Sequence, residues 1–178
     1  MRNGYLLVVD EAFAPVAKTQ HSKTGKEITV IKFSPDDSIC AVGGNDGRVR
    51  LYDVKSKFRK AKVIKKNTCA VTHLDFSLDG QQIITNSSNG EVLHFETSSG
   101  KHLPSTGAVK DARWHTWSCT FGWHVQGIYP ANSNGFDVIS CARSPESNGN
   151  GTVIATGDDF GRVNLYRFPC PLKNATGT

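Results

Sequence analysis

The chain has 178 residues, 38% of them hydrophobic, with a formal net charge of +5 at neutral pH and a pI of about 9.0. That length suits one ordinary domain with its own core, and the composition fits a globular protein rather than a disordered or fibrous one. No apolar run approaches the roughly 20 residues of a membrane-spanning helix, Tyr5–Val9 is too short for a secretory signal, and an intracellular protein is expected. Five cysteines (Cys40, Cys69, Cys119, Cys141 and Cys170) are odd in number and form no C-x-x-C pair. They predict buried thiols rather than a disulfide framework or a zinc site. The basic balance points to an acidic partner without naming it.

In chain order, Tyr5–Asp10 and Val16–Gln20 read as two strands that close a sheet begun earlier. Ile28–Phe33, Ile39–Val42 and Val49–Val54 follow as three alternating runs. They are separated by Ser34-Pro35-Asp36-Asp37 and then by Gly43-Gly44-Asn45-Asp46-Gly47, and Lys62–Lys65 would add an outer strand. Pro35 pre-sets φ for a type I turn, and Asn45-Asp46-Gly47 tolerates the positive φ of a tight hairpin. The unit then recurs. Val71–Ser77 matches Ile28–Ser34, Asp79-Gly80 matches Asp36-Asp37, and Gly90 lies 43 residues after Gly47. Strands are expected at Val71–Phe76, Gln81–Thr85, Glu91–Glu96 and His102–Leu103.

The period then breaks, because Gly161 lies 71 residues after Gly90. The added segment carries Trp114, Trp117, Phe121, Trp123, Tyr129 and Phe136. Linkers are polar and rich in Gly and Ser, so this one is expected to pack against a neighbouring sheet. Asp137–Ala142, Thr152–Thr156 and Arg162–Phe168 resume the strand pattern around a Ser/Asn/Gly loop at 144–151.

A strand-built repeat of this length is the signature of a propeller blade. The reading is an all-β, partial β-propeller of about three four-stranded antiparallel blades in an open arc. Residues 1–27 would end a preceding blade, 28–67 and 68–109 would each form one, 110–136 would be the aromatic insertion, and 137–178 an incomplete blade. Asp46, Gly47, Gly90, Asp159 and Gly161 are expected to be structural turn residues, with the three glycines at positive φ.

The repeats resemble WD repeats. Three further stretches resemble the echinoderm microtubule-associated-protein-like family over nearly the whole chain: 115–122 (HTWSCTFG), Gly127-Ile128-Tyr129-Pro130, and 155–163 (ATGDDFGRV) running on to Phe168-Pro169-Cys170. The resemblance implies a slice of that family's second propeller in a cytoplasmic, cytoskeletal protein that associates with tubulin or microtubules. It implies a non-enzymatic scaffold without a cofactor. The family's coiled coil has no counterpart here, since no heptad pattern occurs.

Motifs that look catalytic have plainer readings. Asp159-Phe160-Gly161 spells the kinase magnesium tripeptide but lacks the glycine-rich loop, strand lysine and His-Arg-Asp segment which that chemistry needs. The Gly43–Gly47 run lacks a P-loop Lys-Ser/Thr and precedes a strand, not a helix N-terminus. His115, Cys119 and His124 lack a fourth ligand at zinc spacing and are read as packing residues. No Gly-x-Ser-x-Gly elbow places a nucleophile.

Charge is more informative. Between Lys55 and Leu74 there is no acidic residue, while Lys55, Lys57, Arg59, Lys60, Lys62, Lys65 and Lys66 place seven cations on the outer strand and its approach. Two readings stay open: a docking strip for an acidic polymer such as tubulin tails, and lysines that protect a sheet edge from strand addition. A generic adaptor for protein assemblies is the alternative function. RNA binding is disfavoured because the basic strip and the aromatic segment lie far apart in sequence.

Overall fold

The structure, a computed structural model, describes residues 5–20, 26–104, 107–129, 133, 135–145 and 152–172. Most of the 144–151 loop and the tail beyond Leu172 lie outside the described residues.

The strands fall into four antiparallel sheets. The first pairs β1 (Tyr5–Val9) with β2 (Pro15–Gln20). The second holds β3 (Ile28–Phe33), β4 (Ile39–Gly44), β5 (Val49–Asp53) and β6 (Arg59–Ile64). The third holds β7 (Val71–Phe76), β8 (Gln82–Ser87), β9 (Val92–Glu96) and β10 (His102–Leu103). The fourth holds β11 (Val138–Arg143), β12 (Val153–Asp158) and β13 (Val163–Arg167). In each sheet, neighbours in sequence are neighbours in space, as in a meander. The outer strand of the second sheet begins at Arg59, earlier than the Lys62 start expected from sequence, because Asp53 of β5 pairs in register with Arg59 and a bulge beyond Tyr52 carries the pairing on to Ile64.

Local chemistry explains the repetition. In the β3–β4 turn the Asp36 carboxylate accepts from Ser34 Oγ (2.6 Å), Ser38 Oγ (2.9 Å) and Ser38 N (3.2 Å). These bonds, with Ser34 first, hold its carboxyl down at about 2. Ser77 and Asp79 repeat the arrangement between β7 and β8. The inner strand of each of the last three sheets also carries a register irregularity near its start, between Ile28 and Val30, Val71 and His73, and Val138 and Ser140. One such residue, Thr29, donates its hydroxyl to the Val71 carbonyl of the next sheet. The contact is close enough that a Cβ on Gly43 would meet Val30 Cγ1 at 2.7 Å and Val71 Cγ1 at 2.9 Å.

The core lies between sheets rather than inside one. Leu6, Val8 and Ala17 pack on Cys40, Val42, Tyr52 and Phe58. Ala41, Val49, Leu51 and Ile64 pack on Val71, Leu74, Phe76, Ile83 and Phe95. Strand alternation sends Leu6 and Val8 inward while Tyr5, Leu7 and Val9 face solvent. At the other end Tyr166 faces the core while Val163 and Leu165 are exposed. Interior sheets are thus covered on two faces and end sheets on one, which is the geometry of a partial propeller, in which each blade buries its faces only against neighbours.

Candidate functional site

The basic strip runs along the β5–β6 turn and down β6. Lys55, Lys57, Arg59, Lys60, Lys65 and Lys66 are exposed, but Lys62 is half-buried and donates its ammonium to the Ser98 carbonyl of the next sheet. The close approach of Lys62 Cδ to Gly100 fits that sideways reach. Six of the seven cations are therefore exposed, and the seventh ties two sheets together. Sequence reading also missed Asp53, which sits opposite Arg59 in register. Hydrogen bonds from Ser56, and more weakly the Arg59 charge, hold the Asp53 carboxyl below the usual range. The turn itself is strained, with Lys57 at φ 52 and Phe58 at φ 56, conformations that L residues with side chains rarely adopt. Phe58 explains it: its ring is 8% exposed and meets Phe33 edge-on at 6.3 Å. Burying that ring pulls the turn inward and leaves the lysines outside.

The hairpin glycines take φ 70 (Gly47), 81 (Gly90) and 76 (Gly161). Asp46 has a second task beside its turn, since its carboxylate receives both Nη1 (3.2 Å) and Nη2 (2.6 Å) of Arg50, which is only 4% exposed. Asp159 and Gly161 lie in the β12–β13 hairpin, where Asp158 Oδ1 accepts from Phe160 N and Arg162 N. This is turn chemistry, in which one carboxylate closes the hairpin through two backbone amides.

The aromatic segment is a wedge between the third and fourth sheets. It begins with a single helical turn, α1 (Gly107–Lys110), bridges Ser77 through Trp114, and continues into a kinked 3₁₀ stretch at Trp123–Ile128. Trp114 and Trp117 are each 1% exposed and join Ile84, Val125, Ile128, Cys141 and Ile154 in one cluster. Three polar clamps position it. Asp75, wholly buried on β7, accepts from Thr116 Oγ1 (2.7 Å), Ser118 N (2.7 Å), Ser118 Oγ (3.0 Å) and Cys119 N (3.0 Å), with Lys32 Nζ at 3.6 Å. Asn86 exchanges two bonds with the Phe121 backbone, at 2.8 and 3.0 Å. From the fourth sheet, Arg143 donates to the carbonyls of Trp114 (2.7 Å) and His115 (2.8 Å). A carboxylate within the apolar alternation of β7 was the one sequence signal that could have pointed to the first clamp.

His124 is buried between Trp117 (4.8 Å between ring centres) and Phe168 (5.9 Å, stacked). Burial holds His124 and His94 down to about 4 each. Burial, reinforced by the Asp75 charge, raises the Cys119 thiol and pushes Cys141 up to about 12. Thiols held protonated are poor nucleophiles and poor metal ligands, and among the described residues no group of three or more His, Cys, Asp and Glu side chains is arranged to hold an ion. No described helix is long and apolar enough to cross a membrane.

Stacked antiparallel sheets of this kind define the β-propeller class. A solved structure of U3-55K (TM-score 0.52, 18% identity, 82% of this chain and 50% of that one) and the crystallised WD40 repeats of RRP9 (TM-score 0.52, 18% identity, 82% and 49%) share the fold. The family model of the echinoderm microtubule-associated protein second beta-propeller matches residues 1–178, and the chain belongs to that family. Echinoderm microtubule-associated protein-like 1 of Rattus norvegicus is 34% identical over 155 residues, which are 85% of this chain and 19% of that protein. The 77 kDa echinoderm microtubule-associated protein of Lytechinus variegatus is 34% identical over 154 residues, 85% of this chain and 23% of its own length. The chain thus spans about a fifth of the length of these relatives.

Proposed function

We propose that the chain is part of a non-enzymatic, cytoplasmic WD-repeat scaffold that binds tubulin or microtubules and contributes to cytoskeleton organisation. Membership of a family whose named members are microtubule-associated is the observation that carries this reading. The exposed cations Lys55, Lys57, Arg59, Lys60, Lys65 and Lys66 supply its contact surface, because a flexible acidic segment offers little apolar area and is attracted mainly by charge. Lys62 is left out of that surface, since its ammonium is already bonded to Ser98 O. A generic adaptor role remains the alternative. RNA binding is weakened by the burial of Trp114 and Trp117, whose faces are not available for base stacking.

Cosedimentation with microtubules across a salt series tests the proposal. Binding should fall as salt rises, and Lys57→Glu/Arg59→Glu/Lys60→Glu should remove the salt-sensitive part while the circular dichroism spectrum is unchanged. A folded triple variant that binds as well as the parent at low salt would show that the strip protects a sheet edge instead.

A further inference from the structure

The two ends of the arc carry different faces. Aligned on the hairpin glycines Gly47 and Gly161, Ala155, Val163 and Leu165 of the fourth sheet fall where the second sheet has Ala41, Val49 and Leu51. The residue types are the same, but their surroundings differ. Ala41, Val49 and Leu51 are at most 2% exposed and pack on Val71, Leu74, Ile83 and Phe95 of the next sheet. Val163 and Leu165 are 76% and 46% exposed. Pairing of Leu165 with Ala155 and of Val163 with Gly157 puts these side chains on one side of the sheet, opposite the buried Ile154. The fourth sheet thus presents the kind of face that, in the second sheet, receives the following blade. The first sheet presents the reverse. Its Leu6 and Val8 pack forward on the second sheet, while Tyr5, Leu7 and Val9 alternate to the other side and are exposed.

We propose that a second copy of this chain closes the arc into a ring, the exposed face of each copy's fourth sheet packing on the exposed face of the other's first sheet. Polarity favours this pairing. Between the second and third sheets a forward face meets a backward one, Ala41, Val49 and Leu51 against Ile83 and Phe95, and a fourth-to-first contact keeps that order. Strand position fits as well: β2 is followed by the inner strand of the next sheet, so β1 is a third strand, as β13 is, and the two can meet as β5 and β9 do. The arc has four sheets, so two copies bring twice that number, within the roughly 4–8 blades of closed propellers. The fold match agrees, since it covers 50% and 49% of the two propeller chains. At roughly 150–250 Å² for a large side chain, Tyr5, Leu7, Val9 and Val16 at one end and Val153, Val163 and Leu165 at the other leave on the order of 300 Å² of apolar surface each. Two contacts then bury about 1,200 Å², where specific interfaces begin. A twofold axis exchanges the contacts, so assembly stops at the dimer.

Sedimentation equilibrium of the 178-residue chain over a wide concentration range tests the proposal, and the chain should reach a dimer and go no further. Leu7→Lys and Val163→Lys each place a charge in both contacts of the ring. Each should raise the dimer dissociation constant by at least about tenfold, the scale of an unpaired charge at the centre of an interface. An equal mixture of the two variants has one undamaged pair of faces, the fourth sheet of the Leu7 variant and the first sheet of the Val163 variant. It should therefore associate more tightly than either variant alone. Near-ultraviolet circular dichroism confirms the fold of each. Leu7→Thr and Val163→Thr, which keep strand propensity, replace any variant that does not fold and should weaken the dimer less. A parent chain that stays monomeric leaves these faces to another partner and overturns the proposal. So does growth beyond the dimer, loss of association from one face only, or a mixture no tighter than its parts.

Discussion

Replacing the hairpin glycines one at a time by alanine tests how the repeat is built, because the three positions share a conformation but not a neighbourhood. All three have φ between 70 and 81, and a Cβ in that left-handed region costs about 1 kcal/mol at each. A Cβ on Gly161 would meet nothing within 4 Å, and one on Gly90 would touch only the Phe136 ring at 3.4 Å. Phe136 is 53% exposed, and a contact at the tip of its ring needs a shift of only a few tenths of an ångström. At Gly47 the Cβ would lie 2.7 Å from the Asn67 carbonyl oxygen and 3.0 Å from that of Cys69, both backbone atoms of the β6–β7 connection. Moving Asn67 strains its bonds to Thr85 Oγ1 (2.8 Å) and Ser87 Oγ (3.0 Å) on β8. Overpacking of this kind adds ~1–3 kcal/mol. Gly47→Ala should therefore cost about 2–4 kcal/mol, against about 1 for Gly161→Ala and Gly90→Ala. Urea unfolding followed by far-ultraviolet circular dichroism measures this. With a slope of about 2 kcal/mol/M, the Gly47 variant loses roughly 1–2 M of midpoint and the others about 0.5 M. Equal losses at the three sites would refute the argument, since conformation alone would then set the cost.

His94 and His124 take up protons only near pH 4 when folded but near their ordinary 6.5 when unfolded. Between those values the unfolded chain binds more protons, so stability should fall as pH drops from 6.5 to 4. His94→Phe/His124→Phe should flatten the urea midpoint against pH in that window, and an unchanged slope would count against it. Asp75→Ala removes an acceptor of four bonds and should cost about 3 kcal/mol or more, with the tryptophan emission moving to the red as Trp114 and Trp117 become wetter. An unshifted emission maximum would mean that the wedge is held by apolar packing alone. Asp46→Ala removes the carboxylate that receives two bonds from the buried Arg50 guanidinium and should cost about 3 kcal/mol; adding Arg50→Met should recover most of it, and a double variant as unstable as the single one would argue against the pair.

The strand order, the turn positions and the 43-residue repeat could be read from the sequence because each is a local matter. Alternation in Ile28–Phe33 and Val71–Phe76, Ser and Asp flanking the first turn, and glycine at 47 and 90 all act within a few residues of one another. The family likeness was legible for a similar reason, being carried by contiguous stretches such as 115–122 and 155–163. What the sequence could not decide depends on which sheets touch. Lys62 belongs to the basic run by spacing, yet its ammonium reaches Ser98 because the third sheet stacks on that face of β6. Asp75 looks like one charge among many until the wedge, some 40 residues further along, brings four donors to it. Arg143 looks like an ordinary strand-end charge, yet it bonds back to the Trp114 and His115 carbonyls of the wedge. Long-range packing sets these contacts, and burial then fixes which charged groups are held inside and which are left for a partner.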